Sequence, residues 1–467
     1  MMNLDWISKF FELNQPLGNI MDETLPLNLS LTGRVDHIRK CSNKMFFLVL
    51  RDREKTLQVI FKEDKEKLPD LTRDKIKEYV KTTPESIVKI TGQLIKSPVE
   101  IKSSTINHLE MVGHTLEILS ESDVVPLQVY KPDALLETRL SHRVLDLRSQ
   151  QNQIIFYLQS QIQKLATDFF LEKQFTWLTF PKLLGGTSES GSEAFHVDYF
   201  GKEAFLAQSP QLHKQMAINA GFKKVFSIGP VFRAEKSHTS RHLTEFTGID
   251  FEMEIGGSGP ESDPIQLIYE LVQRIMRELE KANSDKFKLW ETITEKPFNH
   301  PVIAERPVVV IYKDAFKMLE EAGVTVESPE DFNNQDLSKL AGLVKEKYHT
   351  DLFVLDQFPA SVRPFYTKPK EGEEGTSLGY DLIFRGKEIL SGAQRISNYQ
   401  LLMEKVNKAG LSGLESSIAD YVDSFKYGSP EHAGGGFGLE RIMWAYLDLP
   451  NIRNFSLFPR DPNILRP

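Results

Sequence analysis

The chain of 467 residues predicts an α+β protein in two parts. A small five-stranded barrel precedes a larger body built on a mostly antiparallel sheet flanked by helices. Three observations carry this. Residues 27 to about 118 break into five short apolar runs, a helical period begins at Ser149, and beyond residue 181 strand-like and helix-like stretches alternate irregularly. No repeating βαβ unit is present, which argues against a doubly wound fold. The length also exceeds what one core usually serves.

"LNLSLTGRVDHIRK" opens the barrel with alternating Leu27, Leu29 and Leu31. "MFFLVLRD", "TLQVIF", "ESIVKITGQLIK" and "HLEMVGHTLEILS" follow, with a polar helix expected near 64–81. Five strands with a helix between the third and fourth match an OB-type barrel, a frequent oligonucleotide platform; another small β-barrel fits the same pattern. The expected divisions are an extension at 1–26, the barrel at 27–118, a hinge at 119–145 and the body at 146–467. From Ser149, a candidate N-cap, Ile155, Leu158, Ile162, Leu165 and Phe169 form one helical stripe. The helix leads into the strand-like "FTWLTFPKLLGG", ended by Pro181. Residues 256–263 and 370–377 read as surface turns.

Composition is that of a soluble globular protein, 40% hydrophobic and 26% charged, with no apolar run of bilayer length. The N-terminal "MMNLDWISKFFELNQPLGNI" has neither a signal-peptide core nor transit-peptide character. The single cysteine, Cys41, excludes an internal disulfide and any multi-cysteine metal site. A reducing, cytoplasmic setting is the expectation. The net charge of −8 argues against broad nonspecific binding of nucleic acid, yet residues 31–110 hold 17 Lys and Arg against 12 Asp and Glu. A basic module on an acidic body suits a polyanion gripped in one place. No P-loop occurs, so ATP chemistry would need another cradle.

Two stretches concentrate chemistry. In "FRAEKSHTSRHLTEFTGIDFEMEI", Phe232 to Ile255, Ile249, Phe251, Met253 and Ile255 alternate with Asp250, Glu252 and Glu254. A period of two puts the acids on one face of a strand. That face is either a solvated surface of an antiparallel sheet or a polar floor for a ligand with positive and negative parts. In "HAGGGFGLERIMWAYLDLP", His432 to Pro450, Gly434, Gly435, Gly436 and Gly438 allow close backbone approach. The following helix buries Leu439, Ile442, Met443, Tyr446 and Leu447. Arg441 falls in its first turn, where the helix dipole disfavours a cation unless a ligand uses it.

Helix–strand–Pro (150–183), "FRAE…RHLTEF" (within 225–255) and "GGGFGLER" (within 432–450) resemble motifs 1, 2 and 3 of the class II aminoacyl-tRNA synthetases. "GGTSESGSEAF", "LAQSPQLHKQM", "FSIGPVFRAE", "SVRPFYTKP", "EILSGAQRI" and "FPRDPNILRP" are similar to the aspartyl-tRNA synthetases of eukaryotic and archaeal type. The resemblance runs from about residue 27 to the C-terminus, with its segments in order and spacing.

The resemblance implies activation of aspartate by ATP and its transfer to the terminal adenosine of tRNA(Asp). The substrate carboxylate is itself the nucleophile, so the protein must position and neutralise charge. Arg233 would bridge the carboxylate and the α-phosphate, Glu235 would contact the adenine amino group, and Arg241 with His242 would approach the phosphates. Phe246 and Arg441 would sandwich adenine, with Leu243 and Gly438 in the same ATP-binding set. Glu388, assisted by Asp381, would hold Mg²⁺. Arg395 and Lys214 would take the substrate's β-carboxylate, helped by Ser391 and Gln211 and oriented by Asp250. Glu189 would close over the α-ammonium. Phe47, Gln58, Ser103 and Glu110 would read the anticodon, and Pro181 would lie in a homodimer interface. Three rivals are an asparaginyl-tRNA synthetase, against which Lys214 and "SGAQR" speak; a tRNA-independent amidating enzyme, against which the barrel speaks; and a silent RNA-binding paralogue, which would have no use for Arg233, Glu388, Arg395 and Arg441.

Overall fold

The computed structural model describes residues 25–129, 134–186, 194–236, 239–257, 262–328, 330–411 and 415–466. Nearly all of the expected 1–26 extension, and Glu189, lie outside them. The chain forms two compact units, residues 1–155 with 285–297 and residues 156–284 with 298–467.

In the first unit, β1 (Leu27–Ser42), β2 (Met45–Asp52), β3 (Lys55–Lys62), β4 (Ile87–Lys96) and β5 (Ile106–Ser120) close into a barrel in the order β1-β2-β3-β5-β4. Alternation sends Leu31, Phe46, Leu48, Val59 and Phe61 inward, where Phe46 and Phe61 stack at 4.9 Å. Gly113 makes room for that stack: a Cβ there would meet the Phe61 ring at 2.5 Å. Cys41 is exposed at the far end of β1. Helix α1 spans only Arg73–Tyr79, shorter than expected, with the Thr72 side chain accepting from Lys75 N. Upstream, Asp64 accepts from the backbone N–H of Glu66 and Lys67 in a turn of its own, and Pro69 cannot continue a helix.

Helix α2 (Gln150–Glu172) starts where predicted, the Ser149 hydroxyl accepting from Asn152 N at 3.4 Å. Leu158, Ile162 and Phe169 of its stripe are buried, and Leu165 is half-buried. Phe170, off the predicted stripe, stacks on Phe226 at 5.0 Å and Phe251 at 5.9 Å. The strand expected after α2 is only β6 (Thr176–Trp177), and Pro181 is exposed.

The second unit is organised by an eight-stranded sheet. Its strands are β6, β7 (Lys224–Phe232), β8 (Glu245–Glu254), β9 (Val309–Ile311), β10 (Leu352–Asp356), β11 (Gly379–Phe384), β12 (Lys387–Gln394) and β13 (His432–Gly438), in the order β9-β10-β11-β12-β13-β8-β7-β6. Only the outermost pairings, β9 with β10 and β7 with β6, are parallel. The sheet is therefore mostly antiparallel, as predicted. Ile249, Phe251 and Met253 of β8 are buried on the face that α2 covers through Phe170. The opposite face receives helix α3 (Gln211–Asn219), which carries Lys214, while α4 (Leu439–Leu447) follows β13. Among the described residues no helix is long and apolar enough to cross a membrane.

Candidate active site

The acidic face of β8 is a floor, not a solvated surface. Asp250 and Glu252 are 7% and 0% exposed. Each lies across from a glycine of β13, Asp250 from Gly436 and Glu252 from Gly434. A Cβ on Gly434 would sit 2.1 Å from Glu252 Oε2, and one on Gly436 2.8 Å from Asp250 Oδ1. The glycine run thus admits two carboxylates into the layer above the sheet.

Two cations match them. Lys214, 1% exposed, donates from Nζ to Asp250 Oδ1 and to the Gly435 carbonyl, both at 3.1 Å, and lies 3.6 Å from Glu252. Arg395 donates from Nε to Glu252 Oε1 at 2.8 Å and from Nη2 to Gln211 Oε1 at 3.2 Å. Burial pushes the Glu252 pKa up, but Arg395 and Lys214 outweigh it and hold the carboxyl below its ordinary value. Burial opposes the charge on Arg395, and Glu252 more than compensates. Asp250 therefore orients Lys214 alone. The partner of Arg395 is Glu252, which the sequence reading placed in the acidic row without giving it a role.

Above this floor opens a cleft with about 760 Å³ of empty space, open solvent included. Of the sequence-predicted residues, Arg233, Glu235, Arg241, His242, Leu243, Phe246, Asp250, Glu388, Ser391, Gly438 and Arg441 line it. The Arg233 guanidinium lies 5.6 Å from the Phe246 ring centre and 3.8 Å from Glu235. His242 stands 3.5 Å from Glu235, and burial lowers its pKa. Arg441 donates to Glu388 Oε1 at 3.1 Å, and the guanidinium over the Phe246 ring is that of Arg233. Lys214, Arg395 and Gln211 lie behind the lining, in the buried layer.

Asp381 and Glu388 come from the adjacent strands β11 and β12. Burial raises the Asp381 pKa to about 6; Arg363, 2.9 Å away, opposes the rise and Glu388 adds to it. Arg363 also donates to Ser391 Oγ at 2.8 Å and stacks on Phe358 at 3.7 Å. It sits in the quoted "SVRPFYTKP", but only its neighbours in space reveal its task of holding Asp381 and Ser391. Glu440 was also missed. At the start of α4 it is buried and accepts from Thr247 N at 3.1 Å, and burial lifts its pKa to about 7. Among the described residues, no three His, Cys, Asp or Glu side chains gather as a metal cluster.

The barrel residues form a separate polar row. Gln58 and Glu110 are cross-strand partners, with Gln58 Nε2 donating to Glu110 at 3.3 Å and Ser103 Oγ donating to Gln58 at 3.0 Å. Burial raises the Glu110 pKa while Gln58 lowers it. Phe47, half-buried, faces outward under the Arg39 guanidinium at 4.9 Å, while its neighbour Phe46 belongs to the core.

Known proteins place this arrangement. The family model described as "tRNA synthetases class II (D, K and N)" matches residues 135–462, and "OB-fold nucleic acid binding domain" matches 29–119. The chain is 37% identical to the probable cytoplasmic aspartate–tRNA ligase of Encephalitozoon cuniculi (strain GB-M1), over 96% of this chain and 98% of that one. It is 39% identical to the cytoplasmic aspartate–tRNA ligase of Homo sapiens, over 92% and 87%. The solved aspartyl tRNA synthetase from Entamoeba histolytica superposes with a TM-score of 0.85 at 34% identity, covering 97% of this chain and 94% of that one. With its barrel, its antiparallel sheet and its arginine-lined cleft, the chain belongs to the class II tRNA synthetases of the D, K and N group.

Proposed function

We infer that this chain is an aspartate–tRNA ligase. It activates L-aspartate with ATP to aspartyl-AMP and pyrophosphate, then transfers the aspartyl group to the 3′-terminal adenosine of tRNA(Asp). The observation that carries this reading is the buried Lys214–Asp250 and Arg395–Glu252 layer directly beneath a cleft lined by Arg233, Arg241 and Arg441. Two held cations suit a side-chain carboxylate, and asparagine's amide would bring them donors in place of acceptors.

In the first step, an α-carboxylate oxygen of aspartate forms a bond to the α-phosphorus of ATP as the bond to pyrophosphate breaks. Arg233, between β7 and the cleft, neutralises both anions. Phe246 offers adenine a stacking surface, and Glu235 an acceptor for its amino group. Arg441, released from Glu388 by a nucleotide, is within the same cleft to cover the other adenine face. In the second step the 3′-hydroxyl of the tRNA attacks the aspartyl carbonyl and AMP leaves; no general base is assigned.

Glu388 and Asp381 fit Mg²⁺, which takes one or two carboxylates and completes its shell with phosphate oxygens. The raised proton affinity of Asp381, to which Glu388 contributes, is what a neighbouring cation would relieve. When bound, the ion would neutralise phosphate charge and leave Arg363 to hold Asp381. Phe47, Gln58, Ser103 and Glu110 serve as the anticodon surface. Exposed Pro181, with Trp177 at 52% and Leu183 at 49% exposure, supports a homodimer through this edge; a fully active monomer in sedimentation would sink that reading. The cytoplasmic names of the relatives support a cytoplasmic setting.

The deciding test is charging of purified aspartate and asparagine tRNAs with labelled aspartate, ATP and Mg²⁺. Charging of the aspartate tRNA alone is expected. Charging of both would keep the chemistry but loosen the anticodon assignment, and charging of neither would overturn the reading.

A further inference from the structure

Beside the buried layer lies a cation that no residue role accounts for. Lys182 follows exposed Pro181 and is tied to the body through its carbonyl, which accepts from Ala207 N at 2.9 Å. Its side chain crosses the floor where the sheet has no side chains. Gly229 of β7 and Gly248 of β8 are cross-strand partners, and a Cβ on Gly229 would sit 3.7 Å from Lys182 Cε and 3.8 Å from Nζ. Gly248 borders Asp250 in turn: a Cβ there would lie 2.8 Å from Asp250 Oδ2. Lys182 thus lies over Gly229, whose cross-strand partner Gly248 borders Asp250 Oδ2, while Lys214 holds Asp250 Oδ1.

The charge count gives this position its meaning. Lys214 and Arg395 each have a carboxylate partner, so with Asp250 and Glu252 they sum to zero. Lys182 has no carboxylate of the described residues in ion-pair range; burial lowers its pKa, and Asp250 offsets that only in part. Burial and then Lys182 itself lower the pKa of the neighbouring His213, which disfavours a second charge there. Partial burial weakens the screening of a lone ammonium.

We propose that Lys182 is a specificity-determining residue for the amino acid, supplying a positive charge that no carboxylate of the described residues pairs and that makes the pocket prefer a side-chain carboxylate to an amide. Lys214 and Arg395 give the geometry of recognition, while Lys182 gives its sign. With aspartate's β-carboxylate in place the five protein charges and the ligand's side chain cancel. With asparagine they leave an unbalanced cation in a poorly solvated layer, and discrimination follows from that difference.

This inference rests on the aspartate reading, so the wild-type protein is assayed first by pyrophosphate exchange with aspartate, then with asparagine. Absence of aspartate-dependent exchange in wild type would count against the functional reading itself. Given that exchange, Lys182→Met is expected to raise the aspartate KM about ten- to a hundredfold, in the range of a lost charged contact. The preference for aspartate over asparagine should fall by a similar factor, with the ATP KM and the melting temperature unchanged. Lys182→Arg should restore most of the preference. Lys182→Gln, which keeps a polar donor without the charge, replaces the methionine variant should the latter not fold. An unchanged aspartate KM, or equal losses for aspartate, asparagine and ATP, would overturn the proposal.

Discussion

The floor of the cleft and the polar row of the barrel both use charge and hydrogen bonding, but in opposite regimes. On the floor, Asp250, Glu252, Lys214 and Arg395 are all buried and fixed in mutual ion pairs. On the barrel, Ser103 is exposed and Glu110 half-buried, joined by Gln58, and half-buried Phe47 meets Arg39. A small amino acid must be distinguished by one functional group, which demands donors and acceptors held before it arrives. An RNA loop is larger and brings its own flexibility, so stacking surfaces and adaptable polar edges suffice. Preorganisation follows the size of what must be recognised.

The largest effect is expected where the floor loses one of its own charges. Arg395→Met leaves Glu252 buried without its main partner, which should cost about 3–5 kcal/mol of stability. Denaturant unfolding together with aspartate-dependent pyrophosphate exchange checks this; a stable variant that activates aspartate normally would mean the layer is not preorganised at all. Next comes Gly434→Ala. Its methyl would meet Glu252 Oε2 at 2.1 Å and the Phe251 carbonyl at 2.3 Å, and backbone cannot yield as a flexible side chain does. A loss of about 1–3 kcal/mol is expected from such overpacking, again read by denaturant unfolding.

The barrel should respond differently. Phe47→Ala is expected to raise the tRNA KM in charging by roughly tenfold, the scale of one stacked base, while pyrophosphate exchange stays at the wild-type rate. Equal losses in both assays would blur the contrast between the two regions.

The smallest expected effect concerns pH. Glu440 has a folded pKa of about 7 against an ordinary value of 4.5, so the folded state keeps its proton over a range where the unfolded chain has lost it. Its contribution is fully present below about 4.5 and declines as pH rises through 7. Glu440→Gln should flatten the melting temperature across that window; an unchanged slope would place the titration elsewhere.

How much of this was legible in the sequence depends on distance along the chain. The barrel strands, the start of α2 at Ser149 and the alternation of β8 are local patterns, and they appear in the fold as predicted. The burial of the acids was not local. Whether Asp250 and Glu252 faced water depended on Gly434 and Gly436, which are far away in sequence and become neighbours only when β13 pairs with β8. Glycine opposite acid was the available signal, readable once that pairing is known. Arg363 and Glu440 were hidden for the same reason, since their partners Asp381 and Thr247 lie on other strands. Phe170 was missed because a single stripe understates the width of a helix face packed on aromatic residues.

Cys41 is the chain's one thiol and stands exposed at the end of β1, the strand whose Arg39 pairs with Phe47. A maleimide dye would therefore attach at a single place, beside the surface assigned to the RNA, with no other cysteine to remove. Stopped-flow fluorescence from that dye could time the arrival of the anticodon loop separately from the formation of the adenylate.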